Sequence, residues 1–204
     1  GYQKIIDGAK QVVENYKPTI KIDPSWEIAK LGDVGELTYG FTDTAKDCGN
    51  ARFIRITDID NNGLLRKDNA KYLDITDENK DFVLRKGDLL VARTGATYGK
   101  TMIFEEEYDS IYASFLIRIT FPLNNVIPKY YWIFAQTDNY WKQANDLVTG
   151  GGQPQFNANA IKQIQIPIPP IDVQRDIVER IAEELTIVEQ NKRLIELFEH
   201  KIKD

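Results

Sequence analysis

Apolar residues recur at helical spacing near the start of the chain. Ile6, Ala9 and Val13 follow one another at intervals of three and four, so they share one face of a helix. Pro18 disfavours helical backbone in the residue before it, and the pattern ends there. We therefore predict one amphipathic helix over residues 1–17.

Between Trp26 and about Pro122 the pattern changes to short strand-like runs. Residues 51–60 alternate apolar and polar side chains, which predicts a half-buried strand before the turn at Asn61-Asn62-Gly63. Residues 87–93 predict a buried strand, because most of that run is apolar, and residues 94–100 predict a glycine-containing loop. Further strand-like runs are residues 101–104 and 111–121.

A second helical region begins at Pro128, since proline is favoured in the first turn of a helix. We predict helix from there to about Leu147. Residues 149–155, Thr-Gly-Gly-Gly-Gln-Pro-Gln, predict an irregular loop. Asn157 is then placed to cap a short helix that runs through Ile161.

From Ile171 to the last residue the pattern predicts one long helix. Ile181, Val188 and Ile195 recur every seven residues, as in a helix that packs along a partner helix. Such a helix is about 50 Å long, which exceeds what a domain of roughly 150 residues covers. Asn191 interrupts the pattern and either fixes the register of the pair or is half-exposed. The predicted partner-contacting residues are Ile177, Ile181, Val188, Asn191, Ile195, Phe198 and Ile202.

Length and composition fit one mixed domain with a helical extension. The chain has 204 residues, of which 42% are hydrophobic and 28% charged, an ordinary globular composition. We predict an α+β fold, with a β-rich domain over residues 18–170 between the helix of residues 1–17 and the long helix of residues 171–204. No apolar run reaches the roughly 20 residues that span a bilayer, and no secretory leader is evident, so we expect a cytoplasmic protein without membrane contact.

The charge of the chain argues against binding nucleic acid through bulk attraction. There are 26 basic and 31 acidic residues, a net charge of −5. The distribution is uneven, however, because residues 51–100 contain ten basic and eight acidic residues. That segment is therefore a candidate local footprint for a polyanion.

Candidate catalytic and metal-binding motifs are each incomplete. Gly95 and the segment 99–101 resemble a phosphate-binding loop, but three residues separate the glycines where the motif needs four. Asp58 and Asp60 could hold Mg²⁺ from one strand face, although carboxylates at a strand end are usually solvated. One cysteine and one histidine exclude a zinc site built from these residue types. We predict no metal site and no catalytic set.

Four segments, in order along the chain, resemble one half of a type I restriction–modification specificity subunit. They are the opening block of residues 26–34, the strand-like run 53–59, the glycine-containing block 84–100 and the closing block 152–178. The resemblance covers nearly the whole chain and implies an α/β recognition globule flanked by long helices. Complete subunits of this family contain two such halves, so we expect a half-length subunit or a domain of a methyltransferase–specificity fusion.

The resemblance implies sequence-specific recognition of double-stranded DNA by a non-catalytic component. In this family, methyl transfer to adenine and DNA cleavage belong to partner subunits. The implied partners are double-stranded DNA, an adenine methyltransferase subunit or domain, a restriction/translocase subunit and, in a dimer, a second specificity half. No cofactor is expected on this chain, because the methyltransferase would use S-adenosylmethionine. A structural adaptor that binds proteins through its helices, without reading DNA, is the alternative.

Candidate DNA contacts follow from the chemistry of phosphates and base edges. Phosphate contacts position a protein on DNA, whereas contacts to base edges specify the sequence. Arginine pairs with guanine, and glutamine with adenine, through two hydrogen bonds. The predicted DNA-facing residues are Arg52, Arg55, Lys67, Arg93, Thr94, Thr97, Tyr98, Lys100, Gln153 and Gln155. Given the net charge, we expect weak DNA binding by the isolated chain and tighter binding with a methyltransferase partner.

Overall fold

The computed structural model describes residues 2–60 and 62–203, apart from the side chains of Ile202 and Lys203. It confirms the α+β fold. The strands are β1 (Glu27–Lys30), β2 (Glu36–Tyr39), β3 (Ala51–Ile54), β4 (Tyr72–Leu73), β5 (Leu89–Ala92), β6 (Thr101–Ile103), β7 (Ser110–Tyr112), β8 (Leu116–Thr120) and β9 (Gln165–Ile168). The α-helices are α1 (Tyr2–Asn15), α2 (Leu31–Val34), α3 (Pro128–Phe134), α4 (Asp138–Leu147), α5 (Ala158–Ile161) and α6 (Ile171–Lys203).

A four-stranded antiparallel sheet, in the order β2-β8-β5-β6, forms the centre of the domain. Leu89 and Val91 of β5 belong to the largest hydrophobic cluster. Leu90 and Ala92 belong to a second cluster on the opposite face, because successive side chains of a strand alternate. Burial on both faces explains the continuous apolar run and confirms the predicted buried strand.

The predicted strand over residues 51–60 is wrong beyond Ile54. β3 ends there, and residues 56–58 form one turn of 3₁₀ helix. β3 is the middle strand of a second sheet, antiparallel to β4 and parallel to β7. All four of its residues are buried, including Arg52, so it is not the half-buried strand that the alternation indicated. A middle strand with apolar clusters on both faces buries its polar positions as well.

The predicted helix from Pro128 to Leu147 is divided into α3 and α4. The hydroxyl of Thr137 accepts a hydrogen bond from Tyr140 N at 3.4 Å, which starts a new helix three residues after α3 ends. The largest hydrophobic cluster contains buried aromatic residues from both helices together with residues of α6. The aromatic residues are Tyr130, Tyr131, Trp132, Phe134 and Tyr140.

The first and last strands of the domain pair with each other. β1 runs antiparallel to β9, with Glu27 opposite Ile168 and Lys30 opposite Gln165. The segment that opens the domain is therefore held against the segment that closes it. α6 begins three residues after β9, immediately beyond the pair Pro169-Pro170.

Gln174 fixes the start of α6 on the domain. Its side chain is fully buried, and its amide nitrogen donates to Asn125 O at 2.8 Å and to Pro169 O at 3.0 Å. Its amide oxygen accepts from Ile127 N at 2.8 Å. One buried amide therefore satisfies three backbone groups from two other segments, a set of contacts that the sequence pattern did not predict.

α6 is the predicted long helix, and α1 packs antiparallel against its C-terminal half. The rings of Tyr2 and Phe198 stack with their centroids 4.9 Å apart. Towards the other end of α1, the hydroxyl of Tyr16 donates to a carboxylate oxygen of Glu184 at 3.0 Å. α1 ends at Asn15 and α6 begins at Ile171, near the predicted domain limits, and the division into domains itself stays a prediction.

Much of the predicted partner-helix surface is covered within the chain. Ile177, Ile181 and Val188 are buried, whereas Ile195 and Phe198 are half-buried on the part of α6 that faces α1. Asn191 donates a hydrogen bond to Ile187 O of its own helix at 2.9 Å. α1 supplies a partner helix within the chain, because its own apolar stripe packs along α6. Contact of these positions with a second chain stays a prediction. The side chain of Ile202 lies outside the described part of the chain.

Replacing Gln174 by methionine tests the role of this buried amide. Gln174→Met keeps a similar volume but leaves Ile127 N and two carbonyl oxygens without their partner. Because a buried unsatisfied group costs about 1–3 kcal/mol, we expect the free energy of unfolding to fall by about 2 kcal/mol or more. The measurement is urea unfolding followed by circular dichroism. Gln190→Met, at an exposed position of the same helix, should change it by less than about 0.5 kcal/mol. Equal midpoints for the two variants would contradict this role.

Candidate nucleic-acid interface

The loop after β5 and the loop of residues 149–155 lie against each other. Gln155 forms an isolated β-bridge with Thr94, from which it is separated by 61 positions. The next residue, Phe156, donates its backbone N–H to Arg93 O at 2.7 Å. Two segments that are distant in sequence, both predicted to face DNA, therefore form one surface. We call residues 93–98 and 149–157 the loop pair.

Thr94 joins the two halves of the loop pair through its hydroxyl. Its Oγ1 accepts from the amide of Gln155 at 3.0 Å and from the amide of Gln153 at 3.4 Å. The same hydroxyl donates to Pro154 O at 3.3 Å. Thr94 is itself buried, so it acts as an anchor rather than as an exposed contact. Both glutamine amides are therefore held on one side of the loop pair.

Arg93 lies at the edge of the loop pair between two aromatic rings. Its guanidinium carbon is 5.3 Å from the ring centroid of Tyr39 and 5.4 Å from that of Phe115. Its Nε donates to Ser114 O at 2.8 Å. A guanidinium within about 6 Å of an aromatic face is attracted by the ring, so the two rings and the carbonyl together hold the side chain. The loop pair thus carries a cation that is positioned and half-exposed.

The remaining predicted residues of the first loop are partly buried. The hydroxyl of Tyr98 donates to Asn145 Oδ1 of α4 at 2.7 Å. Gly99 has a φ of +78°, and a Cβ there would lie 3.1 Å from Trp141, so glycine allows this close turn against α4. Thr97 and Lys100 are half-buried, and Lys100 N donates to Thr97 O at 3.2 Å.

The three other predicted cations form a separate group before β4. Arg52 is only 6% exposed, and it donates to Tyr108 Oη at 3.1 Å and to Arg66 O. Its side chain therefore stabilises the fold and is not available as a surface contact. Arg55 contacts Asp58 at 2.8 Å, and this carboxylate raises its pKa. Lys67 is exposed.

The segment that carries Arg52 and Arg55 is connected to the loop pair through the residues that follow β7. Ala113 N donates to Ile54 O at 2.9 Å, and the residue after Ala113 supplies the carbonyl that binds Arg93. Arg55, which follows Ile54, therefore lies on the segment that borders the turn at Ser114-Phe115. Direct contacts join Arg93 and Thr94 to the loop that carries Gln153 and Gln155, and the ring of Tyr98 contacts that of Phe156. Thr97 and Lys100 lie in and just after the first loop, where they contact each other.

The incomplete motifs have structural explanations. Gly95–Thr97 form a 3₁₀ turn followed by strand β6, which confirms a turn between strands instead of a phosphate-binding loop. Asp58 is buried against Arg55, and Asp60 Oδ1 accepts from the backbone N–H of Leu64 at 2.9 Å. No group of three or more Asp, Glu, His or Cys residues in the described part of the chain could hold a metal ion.

Sequence reasoning missed Tyr39, Ser114 and Phe115. Tyr39 and Phe115 are 43% and 51% exposed, which is unusual for large aromatic side chains. Tyr39 is the last residue of β2, and Phe115 directly precedes β8. Neither belongs to a motif, and only the fold brings them beside Arg93. A single aromatic residue next to a turn gives no sequence signal that separates it from a core residue.

The chain belongs to the family described as type I restriction modification DNA specificity domain, which matches residues 24–199. The family confirms the resemblance seen in the four sequence segments. It also confirms a non-catalytic specificity component, since the family is defined by specificity and not by a reaction. Nothing in the family favours the alternative of a structural adaptor without DNA readout.

Known relatives are similar in sequence and in fold. The type I restriction enzyme MjaIX specificity subunit of Methanocaldococcus jannaschii is 23% identical over 186 residues, which are 88% of this chain and 42% of that protein. A chain from a type I restriction–modification system, solved to explain complex assembly and conformational transition, has a TM-score of 0.70. It is 15% identical, and the match covers 99% of this chain and 50% of that chain.

The HsdS subunit of Thermoanaerobacter tengcongensis has a TM-score of 0.57 and is 16% identical, with 97% of this chain and 49% of that chain covered. These likenesses show the fold, because their sequence identities are low. This chain spans less than half the length of the curated relative and about half of each of these two structures. Across the described residues, no helix is both long and apolar enough to cross a membrane.

Replacing Thr94 by valine tests whether its hydroxyl holds the loop pair together. Thr94→Val keeps the shape of the side chain but removes the bonds to Gln153, Gln155 and Pro154. We expect amide hydrogen exchange across residues 149–155 to become about 5-fold faster, since one net hydrogen bond contributes about 1 kcal/mol. The readout is hydrogen exchange followed by mass spectrometry. Thr97→Val, whose hydroxyl makes none of those bonds, is the matched control. Unchanged exchange in Thr94→Val would show that the loop pair is held by other contacts.

Proposed function

We propose that this chain is a target recognition domain that binds double-stranded DNA in a sequence-specific manner. The observation that carries the proposal is the loop pair, which gathers an aromatic-flanked arginine and two anchored glutamine amides on one surface. Arginine and glutamine are the side chains suited to bidentate contacts with guanine and adenine. Family membership supports the same conclusion independently, because the family is one of DNA specificity domains.

The electrostatics of the chain favour recognition over bulk attraction. A net charge of −5 disfavours tight binding to phosphates by the isolated chain. The surplus of basic residues is confined to residues 51–100, which include Arg93 and the exposed Lys67. The domain therefore supplies specificity, while a partner supplies much of the affinity. We expect DNA binding to weaken as salt rises and to strengthen when the partner is present.

The partners follow from the same proposal. An adenine methyltransferase subunit or domain would use S-adenosylmethionine and carry out methyl transfer, and a restriction/translocase subunit would act on unmethylated DNA. This chain would bind no cofactor itself and would work in the cytoplasm. A second specificity half would complete a split target, since the relatives are about twice as long as this chain.

α1 and α6 are the elements proposed to contact these protein partners. Together they form an antiparallel helix pair, joined by the stack of Tyr2 on Phe198 and the ion pair of Lys10 with Glu199 at 2.9 Å. Ile187 and Leu197 remain more than half exposed on α6, and Val12 is exposed on α1. The helix pair thus has apolar positions outside its internal contact, which suits a protein partner.

The DNA-binding proposal is tested by enrichment of a random duplex library. A pool of random duplexes is passed over the wild-type chain at low salt through repeated rounds of binding and amplification. We expect a defined sequence to emerge, and the double variant Arg93→Ala/Gln153→Ala to bind the enriched pool at least about 10-fold more weakly. The dissociation constants are measured by fluorescence anisotropy.

The matched control for this measurement lies on α6. Arg193→Ala/Gln190→Ala removes the same two residue types at exposed positions outside the loop pair. Its affinity for the enriched pool should match that of the wild type. A wild-type chain that enriches no sequence would contradict the proposal, as would equal weakening by both double variants.

A further inference from the structure

Arg93 is held without a carboxylate. Arg55, Arg175 and Arg180 each contact an acidic side chain three or four positions away, at 2.6–2.8 Å. Arg93 has no such ion pair within the described part of the chain. Its positive charge is instead stabilised by two aromatic faces and one carbonyl oxygen. A carboxylate paired with Arg93 would occupy the guanidinium N–H groups that a ligand needs. Because no such carboxylate contacts Arg93 among the described residues, these N–H groups are available to a ligand.

The guanidinium of Arg93 is fixed both in position and in plane. Its Nε–H donates to Ser114 O, and the rings of Tyr39 and Phe115 restrict rotation of the guanidinium about the side-chain bonds. Tyr39 is itself held, because its hydroxyl accepts from the backbone N–H of Ala158 at 3.2 Å. A side chain that is already ordered loses little conformational entropy when it binds.

The two Nη groups of Arg93 are the donors that remain. Neither donates to an acceptor among the described residues, and the side chain is half-exposed. They form a planar fork of parallel N–H groups, which matches a pair of acceptors lying side by side. On DNA, the O6 and N7 atoms of guanine present such a pair in the major groove.

The surroundings of Arg93 fit a base edge better than a phosphate. A phosphate contact requires only positive charge and solvent access, as the exposed Lys67 provides. Arg93 is instead flanked by exposed aromatic surface, 43% for Tyr39 and 51% for Phe115. Apolar walls of this kind reduce water around the donors and strengthen their hydrogen bonds. They also offer surface that neighbouring bases can cover.

We propose that Arg93 determines specificity by reading one guanine of the DNA target through its two Nη groups. Tyr39 and Phe115 are positioning residues, which keep the guanidinium in the plane of that base pair. This inference rests on the proposed function and deepens it by naming the base and the residue that reads it. It also predicts that the target of this chain contains a guanine at the position opposite the loop pair.

The test repeats the library enrichment with Arg93→Lys. Lysine keeps the positive charge but lacks the planar fork, so it can contact a phosphate but cannot make the paired bonds to guanine. We expect the wild type to select one invariant guanine position that Arg93→Lys no longer selects, with a loss of preference of about 10-fold or more at that position alone. Arg193→Lys is the control and should select the wild-type sequence.

Phe115 variants separate positioning from folding. Phe115→Leu should weaken the preference for guanine at the same position, whereas Phe115→Tyr should retain it. Thermal unfolding of each variant is measured in parallel, so that a loss of guanine preference is read only from chains with the wild-type melting temperature. A preference that changes at that one position, with stability unchanged, supports the positioning role.

The outcomes distinguish this inference from the proposed function. If Arg93→Lys retains the guanine preference, or weakens binding equally at all positions, Arg93 contacts the backbone and the inference is overturned while DNA recognition stands. If the wild type enriches no sequence, both are overturned. Loss of one guanine position by Arg93→Lys, with an unchanged dependence of affinity on salt concentration, supports both.

Discussion

The burial of β5 on both faces is the constraint on which the candidate interface depends. Leu89 and Val91 pack into one hydrophobic cluster and Leu90 and Ala92 into the other. A shift of the strand by one residue would exchange the two faces and move the charged Asp88 or Arg93 into a buried position. Arg93 follows directly and therefore emerges at one defined point. The neighbouring strand β8 begins at that same end of the sheet and places the turn at Ser114-Phe115 beside it.

The same packing turns an irregular sequence into a fixed surface. The glycine-rich residues 149–155 carry little conformational preference of their own. They are ordered against β5 by the bridge of Gln155 to Thr94 and by the bond from Phe156 N to Arg93 O, while Phe156 itself is fully buried. Loops with different residues could occupy this position on the same core, which is how one fold can serve different target sequences.

The elements with strong periodicity could be predicted from the sequence, whereas the composition of the site could not. The apolar run of β5 reflects burial on both faces, and the spacing along α6 reflects burial of one face, so the local sequence pattern predicts both elements. The burial of Arg52 depends on β4 and β7 covering β3, and no local pattern records those neighbours. Tyr39 and Phe115 join the site because β2 ends, and its antiparallel neighbour β8 begins, at the same edge of the sheet. α1 likewise covers α6 through contacts between the two ends of the chain.

In the proposed recognition domain, DNA contacts the loop pair and the aromatic residues beside it. Photo-crosslinking measures this most directly: duplexes from the enriched pool, carrying 5-bromodeoxyuridine, are irradiated in complex with the wild-type chain, and the attached peptides are identified by mass spectrometry. We predict crosslinks at Tyr39, Phe115 and residues 149–157. Crosslinks confined to α1 and α6 would contradict this prediction, because they would place the DNA on the helix pair instead.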